Sequence, residues 1–310
     1  MAEIKTLQEI ANHAIAMPLQ KVAVVCGDDP DTIEAIEQAC KDNIVQPIMV
    51  GNKKATIELA KSLNIDHSLF EYVDETGRSQ AARTAVKLIK EGEAQLIMKG
   101  FVGTDDYARA ILDKESGLMK SKSIMSHVTI VEVESYPKLL FASDVAIIPQ
   151  PDLNQKALMI SYATEMANLM GIKTPKVAIL SATEKVKEKM QSTVDAALLS
   201  KMAERGQIKN CIVDGPLAMD IAINPKCLAG KKIKSPVEAQ ADILIFPNIE
   251  AGNIFYKSMI HLGKAKIAAI ITGAQCPGVL VSRTDSEEIK YYSIALAVYV
   301  SAKRLELGND

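Results

Sequence analysis

Short apolar runs alternate along this chain with longer stretches of helical periodicity, and this alternation limits the possible folds more than any other feature. The runs in the first third of the chain are KVAVVC (21–26), QPIMV (46–50), FEYV (70–73) and QLIMK (95–99). Strands of a parallel sheet are buried on both faces and are joined by crossover helices. The alternation therefore predicts an α/β fold with a mostly parallel sheet that is covered by helices on both faces.

The alternation changes near residue 130. Two apolar runs, at 126–134 and 139–148, lie on either side of Tyr136-Pro137. A connection this short favours a β-hairpin, so some antiparallel pairing is expected in this part of the chain.

The domain organisation follows from the chain length and from the last helix. A length of 310 residues suits two domains of ordinary size. The helix predicted over about 286–305 is apolar nearly all round, so it is expected to be buried, packed against the first domain. The predicted domains are therefore residues 1–130 plus 281–310, and residues 131–280.

Composition excludes several functional classes. The net charge is −2 and the chain contains no Trp, so neither nucleic acid nor an anionic membrane surface is an expected partner. The five cysteines are scattered without a C-x-x-C pair, which indicates neither a disulfide framework nor a zinc site. The N-terminal residues lack a signal-peptide profile, and no apolar run approaches the about 18 residues of a membrane helix. A soluble cytoplasmic protein is expected.

The most informative polar segment follows an apolar run at 279–281. Ser282 and Arg283 come directly after this predicted strand, and Glu287 and Glu288 open the helix that follows. Strand ends of this kind present polar groups to a crevice. Arg283 can bind a phosphate through its guanidinium fork, and either glutamate can act as a base.

The same segment also has a structural interpretation. Asp285 with Glu288 three residues later fits a capping box at the start of the helix. Arg283 could then simply pair with these acidic residues.

Two further segments carry candidate binding residues. Lys99 and Thr104 lie in the strand-to-helix turn KGFVGT, which suits an anion but equally suits an ordinary turn. Asn253 and Lys257 are spaced i, i+4 on the helix after ADILIF, with Tyr256 between them, and the alternative for Lys257 is a solvated helix face.

Four segments in this order resemble the phosphate acetyltransferase/phosphate butyryltransferase family, and most of all its butyryltransferase branch. They are KGFVGT (99–104), the segment 192–222, ADILIFPNIEAGNIFYK (241–257) and SRTDSEEIKYYSIALA (282–297). The resemblance covers nearly the whole chain. It implies two α/β/α domains of the isocitrate/isopropylmalate dehydrogenase type with a cleft between them, assembled as a homodimer or a larger homo-oligomer.

The resemblance also implies a reaction, the reversible transfer of a short acyl group between CoA and inorganic phosphate. Ser282 and Arg283 match the family's pair that contacts the acyl phosphate. Glu288 matches the candidate base, because it precedes an isoleucine in the helix, and Glu287 is the alternative. No metal or other cofactor is expected beyond the substrates CoA and phosphate. The substrate-binding candidates are Lys99, Thr104, Asn253, Tyr256 and Lys257.

Other functions remain open at this point. A butyryl or branched-chain preference is expected, yet each buried methylene contributes only about 0.8 kcal/mol, so a phosphate acetyltransferase is the first alternative. A metal- and NAD-dependent oxidative decarboxylase of the related fold would need an aspartate cluster and a nicotinamide pocket, and the chain lacks G-x-G-x-x-G. An inactive acyl-CoA or acyl-phosphate sensor would be expected to lose Ser282-Arg283.

Overall fold

The computed structural model describes residues 2–308 and divides into two compact units. The terminal unit consists of Leu7–Met125 and the segment from Ala268 onward. The central unit consists of Ser126–Ile267 and the residues before Leu7. The predicted domains, residues 1–130 plus 281–310 and residues 131–280, remain a prediction.

Strands and helices alternate through the first segment of the terminal unit, as predicted. Its helices are α1 (Leu7–Ile15), α2 (Pro30–Lys41), α3 (Lys53–Ser62), α4 (Arg78–Lys90) and α5 (Thr104–Leu112), with a 3₁₀ turn at His67–Leu69. Its strands are β1 (Gln20–Val25), β2 (Val45–Gly51), β3 (Glu71–Asp74) and β4 (Leu96–Lys99).

The central unit also combines strands with helices. Its strands are β5 (Ser126–Glu132), β6 (Leu140–Ser143), β7 (Lys176–Leu180), β8 (Ile212–Leu217) and β9 (Ile243–Ile245). Its helices are α6 (Leu153–Leu169), α7 (Gln191–Glu204), α8 (Met219–Ile223), α9 (Pro225–Lys231) and α10 (Ile249–His261).

The chain then returns to the terminal unit through β10 (Lys266–Thr272), β11 (Gly278–Val279) and α11 (Glu287–Leu307). The strand predicted at 279–281 ends at Val279 and is therefore shorter than expected. Leu280 and Val281 are buried but are not part of β11. Every residue of α11 from Tyr292 to Ala302 is buried, which confirms the prediction for this helix.

The sheet pairing is mostly parallel in both units, as the alternation predicted. The terminal unit has the strand order β3-β2-β1-β4-β11-β10, in which only the β10–β11 pair is antiparallel among the described residues. In the central unit the order is β5-β6-β9-β7-β8, and the β5–β6 hairpin is antiparallel. The predictions of an α/β fold and of a hairpin near residue 130 are confirmed.

The hairpin strand predicted over 139–148 is too long. Asp144 Oδ1 accepts the backbone N–H groups of Ala146 and Ile147, both at 2.8 Å. This turn withdraws the backbone from the ladder, so β6 ends at Ser143.

Within residues 2–308, none of the helices combines the length and the apolar character that crossing a membrane requires.

Candidate functional site

Two strand ends of the terminal unit come together because β4 and β11 are adjacent and parallel. Val279 pairs with Met98, the residue before Lys99. Parallel neighbours end at the same edge of a sheet, so Lys99 and the segment that begins at Ser282 leave the sheet side by side. The sheet thus joins two of the segments that the sequence singled out.

Phe101 organises the arginines at this edge. The Cζ atom of Arg283 lies 5.1 Å from the centroid of the Phe101 ring, and the Cζ atom of Arg78 lies 4.6 Å from it. An aromatic face attracts a guanidinium and fixes its plane while leaving its N–H fork available for an anion. Sequence reasoning missed Arg78, since nothing around this first residue of α4 indicates that it meets the ring.

Lys99 is a buried cation at the end of β4, only 3% exposed. Its Nζ donates a hydrogen bond to the carbonyl oxygen of Gly100 at 3.3 Å. Burial, followed by the positive charges of Arg283 and Lys290, lowers the pKa of Lys99 to about 8. Within residues 2–308, neither Lys99 nor Arg283 forms an ion pair with a carboxylate.

The glycine after Lys99 allows a close approach between two strands. A Cβ atom at Gly100 would lie 2.3 Å from the carbonyl oxygen of Cys26. The N–H groups of Gly100 and Phe101 donate to the carbonyls of Val25 and Cys26 at 2.9 and 2.6 Å. These two N–H groups are therefore already hydrogen-bonded within the fold.

Thr104 begins α5 and is exposed. Asp105 and Asp106 occupy the first turn of the same helix. Their negative charges complement the dipole of this helix N-terminus.

The segment that carries Arg283 is closed into a tight turn. Ser282 N–H donates to Asp285 Oδ2 at 2.7 Å, and the hydroxyls of Ser282 and Thr284 are 3.1 Å apart. The helix cap is Ser286, which accepts the N–H of Ile289 at 3.4 Å. The capping box expected from Asp285 and Glu288 is therefore wrong, because Asp285 folds back onto Ser282 instead.

Lys290 attaches this turn to α2. Its Nζ donates to the carbonyl oxygen of Asp285 at 3.0 Å and lies 3.3 Å from Asp29 Oδ2 and 3.5 Å from Asp31 Oδ2. The side chains of Lys290 and Asp29 are 3% and 14% exposed, so this pair is largely shielded from solvent, whereas Asp31 is 44% exposed. Neither Lys290 nor Asp29 was recognised from the sequence, because their partners are far away along the chain.

The two candidate bases line a groove beside α2. Glu287 and Glu288 border a groove of about 390 Å³ together with Glu34 and Glu37 of α2. A hydrogen bond with Glu287, and to a lesser extent burial, raises the pKa of Glu34. The carboxylates that act electrostatically on Lys99 are instead Asp29 and Asp285.

The remaining binding candidates lie on α10 of the central unit. Asn253 Nδ2 donates to the carbonyl oxygen of Val145 at 3.2 Å, and Lys257 Nζ lies 5.4 Å from the centroid of the largely buried Tyr256 ring. Gly252 has no Cβ atom, which lets α10 pack closely against the backbone at Asp144. A Cβ atom at this position would lie 2.1 Å from the carbonyl oxygen of Asp144. The Asn253 amide thus already has a structural contact.

Among the residues that the structure describes, no three His, Cys, Asp or Glu side chains are grouped so that they could hold a metal ion. The five cysteines are not joined by disulfides.

Residues 73–298 match the family model described as "Phosphate acetyl/butaryl transferase". The chain belongs to this family.

Two family members show how close the relationship is. The phosphate butyryltransferase of Clostridium beijerinckii is 42% identical over 299 residues, which cover 96% of this chain and 99% of that protein. The phosphate acetyltransferase of Thermotoga maritima is 41% identical over 278 residues, or 90% and 94% of the two chains.

Solved structures agree with this assignment. A branched-chain phosphotransacylase from Enterococcus faecalis superimposes with a TM-score of 0.80 at 31% identity, covering 91% of this chain and 99% of that one. A 4-hydroxythreonine-4-phosphate dehydrogenase from Klebsiella pneumoniae reaches a TM-score of 0.55 at 14% identity, with 91% and 99% coverage, which shows a shared fold alone. The expected link between this family and a dehydrogenase-like fold is thereby confirmed.

Proposed function

We propose that this protein moves a short acyl group reversibly between CoA and inorganic phosphate, with butyryl or branched-chain groups preferred. The observation that carries the proposal is the pair of cations Arg283 and Lys99, which lie together at the sheet edge and have no carboxylate partner among residues 2–308. A phosphate dianion supplies the missing negative charge.

The reaction needs only positioning and charge stabilisation at this edge. The CoA sulfur attacks the carbonyl carbon of the acyl phosphate, a C–S bond forms, and the C–O bond to phosphate breaks. Negative charge develops on the carbonyl oxygen and on the departing phosphate. Arg283, whose guanidinium is held by the Phe101 ring, stabilises both, and the Ser282 hydroxyl donates a second hydrogen bond.

Removing the thiol proton needs a base, because a thiol pKa of about 8.5 leaves only a small thiolate fraction at neutral pH. We propose Glu288 as this base, with Glu287 as the alternative, on the family resemblance. Glu288→Gln should lower the rate most at low pH, where the thiolate fraction is smallest, and a loss independent of pH would argue for a purely structural role.

Further substrate contacts are proposed on the same resemblance. They are Thr104, Asn253, Tyr256 and Lys257, as contacts to CoA or phosphate. Catalysis is proposed to need no metal and no nicotinamide.

The assembly and location are also proposals. We propose a homodimer or a larger homo-oligomer in the cytoplasm, on the family resemblance and on cysteines that are not disulfide-bonded. Light scattering during size-exclusion chromatography would test the assembly, and a monomeric mass for the active protein would contradict it.

The decisive experiment is phosphate-dependent release of CoA from acetyl-, butyryl- and isobutyryl-CoA by chelator-treated protein. Arg283→Ala is expected to lower kcat by roughly 10²–10³, about 3–4 kcal/mol, because one charge-stabilising donor is lost. Arg83→Ala is the matched control, since Arg83 is an exposed arginine whose hydrogen bonds within residues 2–308 go to Gln80 on its own helix.

The outcomes separate the candidate functions. Fastest release from the four-carbon substrates supports the butyryl preference, and fastest release from acetyl-CoA supports a phosphate acetyltransferase. Absence of release from all three would contradict the transferase and leave the sensor and the decarboxylase to be tested by acyl-CoA binding and by metal plus nicotinamide.

A further inference from the structure

Lys99 combines three properties that rarely occur together in a lysine. It is buried at the sheet edge that it shares with the Arg283 segment, its Nζ has one weak hydrogen bond to a backbone carbonyl among the described residues, and the cations Arg283 and Lys290 act on it more strongly than the carboxylates Asp29 and Asp285. The same Arg283 is the proposed ligand of the acyl phosphate. An amine is thus placed beside a bound mixed anhydride, a reagent that acylates amines.

We propose that Lys99 is a site of self-acylation, at which the ε-amine takes the acyl group from an acyl phosphate bound at Arg283 and becomes a stable amide. This inference rests on the proposed function, because that function defines the acyl phosphate as a substrate.

The step balances without another reactant. The nitrogen lone pair attacks the carbonyl carbon, a C–N bond forms, and the C–O bond to phosphate breaks. The electron pair of that bond leaves with inorganic phosphate, which also takes up the proton that the amine loses. No oxidation or reduction occurs.

Only the neutral amine is nucleophilic, and here the electrostatics favour Lys99. Because its pKa is lowered to about 8, about half of the Lys99 side chains are neutral at pH 8. An ordinary lysine with a pKa of about 10.4 has a neutral fraction roughly a hundredfold smaller at that pH. Burial also keeps Lys99 away from acylating agents in bulk solvent, so its reaction depends on the acyl phosphate held at the site.

Acylation would damage the site that causes it. The amide has no positive charge, so the anion loses one of its two cations and phosphate binds more weakly. When acyl phosphate accumulates without CoA to accept the acyl group, the enzyme should lose activity irreversibly. The proposed modification is therefore a form of inactivation by the enzyme's own acyl phosphate.

The test incubates the whole protein with butyryl phosphate at pH 8 without CoA, after CoA release has been measured on the same preparation. Peptide mass spectrometry then follows three lysines in one sample. They are Lys99, the equally buried but ion-paired Lys156, and Lys54, whose side chain is 86% exposed. Butyrylation of Lys99 is expected to be at least about tenfold faster than that of either control, given the neutral fractions.

Two further arms ask whether the binding site delivers the acyl group. Saturating inorganic phosphate should slow butyrylation of Lys99 without affecting Lys54, and Arg283→Ala should do the same. Lys99→Arg should keep whatever initial activity it has through the incubation, whereas the wild type declines.

The possible results distinguish failure of this inference from failure of the proposed function. Active enzyme with butyrylated Lys54 and unmodified Lys99 overturns the inference while leaving the proposed function intact. Lys99 butyrylation that neither phosphate nor Arg283→Ala slows also overturns it, since the reaction would then come from bulk solution. A protein that releases no CoA and gains no acyl group overturns both proposals.

Discussion

Lys99 in the terminal unit and Lys156 in the central unit are buried to the same degree, 3% exposed, yet their surroundings differ. Lys156 Nζ lies 2.6 Å from Asp195 Oδ2, and Gln191 Nε2 donates to the other oxygen of that carboxylate at 2.7 Å. Among residues 2–308, the hydrogen bond of Lys99 Nζ goes to the carbonyl of Gly100, and the cations Arg283 and Lys290 act on it more strongly than the carboxylates Asp29 and Asp285.

The two lysines differ in the counter-charge that the fold supplies. The counter-charge of Lys156 is built into the fold, so the pair is complete without a ligand. Lys99 has no ion-paired carboxylate among residues 2–308, so the folded protein bears the cost of burying its charge. Burial alone therefore does not indicate the role of a lysine. The neighbouring charges determine whether its positive charge is neutralised within the protein.

The largest expected effect comes from breaking the complete pair. Asp195→Ala leaves Lys156 buried without its anion, and the free energy of unfolding is expected to fall by about 3–5 kcal/mol. Urea denaturation would measure this change. Glu204→Ala is the control on the same helix, because its ion pair with Lys201 is exposed, and it should change stability far less. Similar losses in the two variants would contradict the contrast.

A smaller effect of a different kind is expected at Lys99. Lys99→Met should weaken phosphate binding by roughly tenfold or more, since a hydrogen bond to a charged group contributes about 1.5–3 kcal/mol. The free energy of unfolding at pH 7 should not fall, because the substitution removes a cation that the folded protein holds at a cost. Calorimetric titration with phosphate and urea denaturation would check the two parts. Lost stability with unchanged phosphate affinity would show a structural lysine.

The pH dependence sharpens the same prediction. The pKa of Lys99 falls from the ordinary 10.5 to about 8 on folding, so between these values the unfolded chain binds a proton that the folded chain does not. Stability should therefore rise with pH across this window, and Lys99→Met should lack that rise. Phosphate affinity of the wild type should decline as the pH increases through about 8. Parallel curves for wild type and variant would refute this account.

The smallest effect is expected where like charges meet near solvent. Because Glu287 raises the pKa of Glu34, the contribution of Glu34 to stability is present at low pH and is lost as the pH rises through the folded pKa. Glu34→Gln keeps a hydrogen-bonding group without the charge and should stabilise the protein at pH 7 by less than about 1 kcal/mol. Glu37→Gln is the control with the opposite sign, because Glu37 pairs with Lys41 at 2.9 Å. Thermal denaturation would show whether only the first variant gains stability.

Much of the fold and part of the site could be predicted from the sequence. The apolar runs led to a mostly parallel sheet, and the strand ends led to Lys99 and Arg283, whose segments the β4–β11 pairing brings together. Arg78 and Asp29 were missed. Arg78 contacts Phe101, and Asp29 contacts Lys290. The partners in each pair are far apart along the chain, so no local sequence pattern predicts these contacts.

The cap of α11 shows the same limit at short range. Asp285 and Ser286 are adjacent and both are good N-cap residues, so the sequence alone could not choose between them. Ser286 is the N-cap of α11. Asp285 does not take this position, because its carboxylate accepts the N–H of Ser282 and its carbonyl oxygen accepts a hydrogen bond from Lys290.

By itself, the sequence determined the strand and helix pattern, the family and the polar strand ends, because periodicity and motifs are properties of neighbouring residues. Only the tertiary structure decided which charges are neutralised inside the protein. Lys99 and Lys156 are both buried lysines, and the free energy of each charge depends on the charged groups that folding brings close to it. Folding brings Asp195 to Lys156 and brings Arg283 and Lys290 close to Lys99, and neither arrangement is visible in the local sequence.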